Sequence, residues 1–511
     1  MRKLLPSLLL VSLLATGCRL GGLEDLEQVR YDAEYAIPLV DTRVSIRKLL
    51  ENVEEETTIL IDRDGQIRFS YEGEVITQNS QDLFATIDDV LPPVIPVLSP
   101  RMALPFTTPE GIRVDRADLK AGELIYVFEN RNAAPVDVSI TLPQLKKNGE
   151  PMSFRHSMPG YGGTGAAPRI TNLLSPAALQ GYQLTTENDS VYIVYEARDA
   201  DGQARELSNF FLRVQNLDFA YAEGYLGDQL HEGQRDTIEI DFFDNWTQGE
   251  VYFEAPKITF HVENSFGIPT RSVVNLFNVI TVRGEVLPVE GAFITDGIDF
   301  PFPAMDEVGA VKRGSFVFTR ENSNIDELLS AGPAAVDYDV DARTNPDGNT
   351  NIRGFLTDSS YYRVQVEVEL PLFGRANDFI ASDTFDLDFT SYEDVDEAEF
   401  KVVADNQLPL NVDIQGYFLD EEGAVLDSLL GERERVVAAA PVDANGIASG
   451  TRQQITFAPF TGERFDRIRQ ARRLLLSASF STVEGGQVSV RPLAEQDVRI
   501  RIGAKLGVRR E

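Results

Sequence analysis

Asp236-Thr237-Ile238-Glu239-Ile240-Asp241-Phe242 returns 147 residues later as Asp383-Thr384-Phe385-Asp386-Leu387-Asp388-Phe389. The match continues upstream, where Gly224-Tyr225-Leu226-Gly227 and Pro371-Leu372-Phe373-Gly374 each end ten residues before the repeated Thr. Downstream, Lys257-Ile258-Thr259-Phe260-His261-Val262-Glu263-Asn264 with Pro269 answers Glu399-Phe400-Lys401-Val402-Val403-Ala404-Asp405-Asn406 with Pro409. Leu124-Ile125-Tyr126-Val127-Phe128-Glu129-Asn130 with Pro135 is a third, earlier version. Each copy reads as an alternating strand, an Asn turn, a Pro that cannot donate to a ladder, and a second strand. Period-two alternation dominates and long amphipathic helices are absent, so the expected class is mainly β. The expected architecture is a row of tandem β-sandwich-like (Ig-like) units.

At 511 residues and about 150 per domain, three to four domains are expected. A hydrophobic content of 43% with 9% aromatic residues is that of a globular protein. The net charge of −34 argues against a nucleic-acid partner, because the phosphate backbone would be repelled. The charge is uneven: from Gly431 to Glu511 there are 14 Lys and Arg against 9 Asp and Glu. This basic end would either dock on acidic groups or form a solvated helix face around Phe465 to Arg473.

The single cysteine, Cys18, rules out an intramolecular disulfide. Arg2 and Lys3 precede an apolar run from Leu4 to Leu14, and Ala15-Thr16-Gly17-Cys18 closes it. The run is too short to span a bilayer. The pattern resembles the bacterial lipoprotein signal, which implies removal of residues 1–17 and acylation of Cys18, so that acyl chains tie the protein to a membrane. Arg19 follows the cysteine where Asp would favour the inner membrane. The resemblance therefore implies the outer membrane. No acidic cluster directly follows Cys18, which favours the periplasmic face over the cell surface. Ala36-Ile37-Pro38-Leu39-Val40, Gly224 to Gly227 with its Asp-Thr strand, and Pro256-Lys257-Ile258 leading to Pro269 resemble an uncharacterised Bacteroidota envelope lipoprotein family with tandem β repeats. That resemblance implies a place in the cell envelope and no activity.

The expected organisation is a signal peptide over 1–17, a small α+β domain over 18–100 with a proline-rich exit, and β units over 101–216, 217–363 and 364–511. The short tether Arg19 to Gly22 would hold the first domain near the bilayer. The clearest hairpin pairs Thr58 to Asp62 with Gln66 to Tyr71 around Arg63-Asp64-Gly65. The exit from Leu91 to Pro100 carries four prolines among apolar residues and reads as an extended segment packed on a neighbour.

Chemistry is sparse. His156, His231 and His261 are far apart in the chain, and an acylated Cys18 leaves no thiol for a zinc site or a nucleophile. Gly160-Tyr161-Gly162-Gly163-Thr164-Gly165 matches a dinucleotide pattern, but Pro159 and Pro168 flank it and no apolar helix follows, so it reads as a loop. Asp337, Asp339 and Asp341 alternate, which places three carboxylates on one face of a strand as a wet edge or a loose calcium site. Ser190, Thr237 and Ser428 each sit in an Asp-Ser/Thr-apolar triplet that resembles a Bacteroidota O-glycosylation acceptor. No catalytic constellation emerges. The expectation is a non-catalytic outer-membrane lipoprotein that binds or braces another envelope component. Two alternatives stand beside it: a surface glycan binder using Tyr161, Tyr182, Trp246 and Tyr252, and a periplasmic lipid carrier using the apolar segment from Leu91 to Pro100.

Overall fold

The computed structural model describes residues 35–47, 58–88, 94–106, 111–243, 246–386 and 395–508. Cys18, the signal peptide and the tether lie outside the described residues. The fold is mainly β, 59% strand against 7% helix. Alternation in the sequence becomes one buried face per strand: in Tyr361–Pro371, Val364, Val366, Val368 and Leu370 all point into a core.

The described strands form three bodies. In the middle one, a sheet ordered Thr58–Ile61, Ile67–Asn79, Tyr361–Pro371, Lys257–Asn264, Lys312–Phe318 packs on a second sheet. That second sheet runs Leu230–His231, Pro333–Thr344, Thr270–Thr281, Val286–Pro288, with Asp236–Glu239 and Asp299–Phe300 added at its sides. Phe260 and Phe277 meet between the sheets with ring centroids 5.5 Å apart. The C-terminal sandwich has a four-stranded sheet ordered Tyr35–Ser45, Asp497–Val508, Val395–Asn406, Arg452–Thr461. Opposite lies a sheet ordered Trp246–Phe253, Gly374–Asp386, Arg473–Thr482, Leu410–Leu419, Val425–Ser428. Phe418 and Phe460 join the two layers at 5.7 Å. The first unit is one eleven-stranded sheet built on the long strands Arg113–Glu129 and Ser208–Tyr225.

Strand partnership corrects the expected boundaries. The described strands between residues 35 and 100 are shared out among the three bodies. Tyr35–Ser45 pairs with Asp497–Val508, Ile67–Asn79 pairs with Tyr361–Pro371, and Ile95–Pro96 pairs with Ser208–Tyr225. One short stretch of chain thus feeds all three bodies. Val364 to Leu370, expected to open the third unit, belong to Tyr361–Pro371, a central strand of the middle sandwich, and Trp246–Phe253 leaves the second unit for the C-terminal sheet. The expected hairpin is present, with Thr58 opposite Ser70, Ile61 opposite Ile67, and Gly65 at φ 81°.

The repeated Asn turns are the element the three bodies share. Asn130, Asn264 and Asn406 are each 0% exposed. Each side-chain oxygen accepts a hydrogen bond from the backbone N–H two residues on, Asn132 at 2.9 Å, Phe266 at 2.8 Å and Leu408 at 2.8 Å. In the two sandwiches this turn carries the chain from one sheet to the facing sheet, so it is an arch rather than a hairpin. An arch abandons the ladder in a buried place, and the carboxamide supplies the partners the backbone loses there.

Candidate functional site

The three aspartates lie on Pro333–Thr344, a strand paired on both sides, not at a wet edge. Val336, Tyr338 and Val340 point into the core, so the aspartates share the opposite face as the alternation requires. Asp337 is buried and receives Arg235 as a fork, Nε to Oδ1 at 3.0 Å and Nη2 to Oδ2 at 2.6 Å. Asp341, also buried, accepts from Gly233 N–H at 2.8 Å and from Asn275 Nδ2 at 2.8 Å; the same amide reaches Asp339 at 3.3 Å. Their lone pairs are directed at protein donors. Among the described residues no group of three His, Cys, Asp or Glu side chains could hold a metal ion. The calcium expectation at Asp337, Asp339 and Asp341 is therefore corrected to a hydrogen-bonded cross-strand network, whose donors come from segments about 65 to 110 residues away.

The three acceptor triplets differ from one another. Ser190 Oγ donates to Asn188 O at 3.2 Å in a turn where Asn188 and Asp189 both have positive φ. Ser428 Oγ donates to Leu430 O at 2.8 Å. Thr237 is exposed on Asp236–Glu239, and its hydroxyl has no hydrogen-bond partner among the described residues. At both 236–237 and 427–428 the aspartate Oδ1 accepts the next residue's N–H at 2.8 Å, which gives the Asp-Ser/Thr pair a local structural role.

The histidines occupy separate places. His156 packs between Tyr126 and Phe128, with Nε2 2.9 Å from Tyr126 Oη, and burial holds its pKa below the ordinary value. His231 lies edge-on to Tyr362, and burial lowers its pKa also. His261 enters an arrangement the sequence did not announce. Its Nδ1 is 3.0 Å from Ser315 Oγ and its Nε2 is 3.2 Å from Glu367 Oε2, while Ser70 Oγ donates to Glu367 Oε1 at 2.6 Å. This Ser-His-Glu-Ser line crosses four adjacent strands on the solvent side of one sheet. Lys257, Glu369 and Arg68 run in a parallel row beside it. Ser315 stands on the edge strand Lys312–Phe318, and the other three residues stand on strands paired on both sides. The line reads as a network that fastens four strands.

Gly160 to Gly165 is a loop with no helix behind it, and Tyr161 Oη donates to Gly165 O at 3.1 Å. The aromatic residues expected of a glycan platform are divided: Tyr161 and Tyr182 are in the first unit, and Tyr252 is in the C-terminal sandwich beneath Arg375. The side chain of Trp246 lies outside the described residues. The basic segment folds as the short helix Glu463–Ile468, and Arg464 and Arg467 both bond Asp427 of the same sandwich. Among the described residues no helix is long and apolar enough to cross a membrane.

No protein-family model matches the chain, and no curated protein does. Among solved structures it is similar to a presumed secreted protein of Parabacteroides distasonis, with 12% identity over 93% of this chain and 100% of the other, at a TM-score of 0.26. It is also similar to the VP2 subviral particle of infectious bursal disease virus, with 8% identity over 78% of this chain and 74% of the other, at a TM-score of 0.15. Likeness at these scores decides neither fold nor function.

Proposed function

We propose that the protein is a non-catalytic lipoprotein, held in the outer membrane by acyl chains on Cys18 and facing the periplasm, whose β units bind or brace another envelope component. The supporting observation is where the chain enters the fold. Tyr35–Ser45 lies in the C-terminal sandwich beside Asp497–Val508, with Tyr35 opposite Leu506. Sixteen residues lie between Cys18 and Tyr35, a span of at most about 60 Å even when fully extended. An anchor at Cys18 therefore tethers the C-terminal sandwich. The first unit, which shares no described strand with that sandwich, is left free to engage a partner.

Cys18→Ala is expected to release the protein from membranes washed in high salt; a variant that stays bound would overturn lipid anchoring. Photoreactive lipids in intact outer membranes are expected to label residues 395–508 and to spare 111–198. The reverse pattern would overturn the arrangement.

A further inference from the structure

Leu124-Ile125-Tyr126-Val127-Phe128 is apolar at every position, the pattern of a strand covered on both faces. Among the described residues the second face is only partly covered: Ile125 is buried and Val127 half-buried, while Val94 and Phe211 are exposed. Leu124, Tyr126 and Phe128 point into the core, while Ile125 and Val127 line a groove of about 340 Å³ on the other side of the sheet. Phe211 and Arg213 of Ser208–Tyr225 stand opposite Val127 and Ile125, and Val94 closes the groove beside Ile95–Pro96. Further apolar side chains are exposed on the two flanking segments. Leu98 is 84% exposed past Pro96, and Leu173 and Leu174 are 60% and 99% exposed next to Arg169–Thr171, which pairs with Val127 to Glu129. Exposed apolar surface gathered in this way marks a binding site.

Two features select the occupant. Arg213 is exposed at the groove and has no ion-pair or hydrogen-bond partner among the described residues, although the chain carries 81 acidic side chains. A guanidinium on the wall of an apolar groove complements a carboxylate at the end of an alkyl chain. The open edge disfavours an extended peptide. Val97 N–H donates inward to Phe210 O at 2.9 Å, so the alternate position, Pro96, faces outward and has no N–H to offer an added strand. The volume lies at the small end of ligand pockets and suits one chain.

We propose that this groove binds a long-chain fatty acid, with its alkyl chain along Ile125, Val127 and Phe211 and its carboxylate on Arg213. This goes beyond the anchoring function and does not depend on it. The test is titration of the purified full chain carrying Cys18→Ala, so that no attached acyl chain competes, with palmitate and with hexadecanol under native mass spectrometry. One palmitate per chain is expected, bound in preference to hexadecanol. Arg213→Gln should weaken palmitate about tenfold and leave hexadecanol unchanged, and Phe211→Asp should remove both. Both substituted side chains are exposed, so the variants should melt as the parent does. Absence of palmitate binding, equal binding of the alcohol, or full affinity in Arg213→Gln would each overturn the proposal.

Discussion

The first unit and the middle sandwich share one continuous hydrophobic core, from Phe69 through Phe128, Phe219 and Phe260 to Leu370. The C-terminal sandwich is built of the same kinds of strand and the same Asn arch, and among the described residues its buried side chains fall into smaller clusters, two of which meet at Val402. One lies around Phe418 and Phe460 and one around Val44 and Ile500, while a third, around Ile46, Ile67 and Ala494, packs against strands of the middle sandwich. Burial is the main source of stability, and a divided interior buries less per strand. Ion pairs fasten the C-terminal sandwich, as they do the other two bodies. Asp41 takes Arg499, Asp405 takes Arg501, Asp413 takes Arg435, and Asp427 takes Arg464 and Arg467. The basic end of the chain thus neutralises carboxylates of its own sandwich, including one delivered from the far N-terminal strand. Exposed pairs of this kind contribute little each, so this body should be the first to open.

The largest effect that would break the comparison is removal of Tyr35–Ser45. The C-terminal sandwich would then lose an edge strand, Val44 from its core and Asp41 from its pairs. Hydrogen exchange is expected to show residues 395–508 deprotected and residues 113–225 still protected; simultaneous loss of both would mean that the two bodies are one cooperative unit.

Next in size, the arches should separate the bodies. Asn406 Nδ2 donates to Leu408 O, Leu410 O and Ala438 O at 2.9 to 3.1 Å, and its Oδ1 accepts from Leu408 N–H. Asn264 makes the accepting bond, but its Nδ2 has no partner among the described residues. Asn406→Ala is therefore expected to cost about 3 kcal/mol, and Asn264→Ala about 1 kcal/mol. Urea denaturation measures both, and equal losses would refute the distinction.

The smallest effect is with pH. Burial lowers the pKa of His156 and His231, which belong to the body with the continuous core. The unfolded chain takes up their protons below about pH 6.5 while the fold resists, so that body loses stability as pH falls below this value. The C-terminal sandwich has no histidine. Burial alone would raise the pKa of Asp427, but the bonds from Arg467, the Ser428 N–H and Arg464 outweigh it and hold the carboxyl below its ordinary value. Its contribution is present above about pH 4 and fades only as pH falls through the folded value. Between pH 7 and 5 the body's thermal midpoint should fall and the sandwich's should not, as calorimetry can record.

Local features were legible. The hairpin at Gly65 depends on neighbours in sequence, and the Asn turns depend on a side chain bonding its own backbone two residues on. The Asp337, Asp339 and Asp341 row was visible too, but Arg235, Gly233 and Asn275, which answer it, lie on other segments. The groove left a trace in the unbroken apolar run from Leu124 to Phe128, which says that both faces want cover without saying what covers each.

From the sequence alone came the β class and the repeated Asn turn, because alternation and turn chemistry act over a few positions. Tertiary structure alone decided that Tyr35–Ser45 belongs beside Asp497–Val508, that Tyr361–Pro371 sits inside the middle sandwich and that Arg213 faces an open apolar groove. A strand's pattern states which face must be buried, whereas its partner is chosen by competition among all edges of matching length and register.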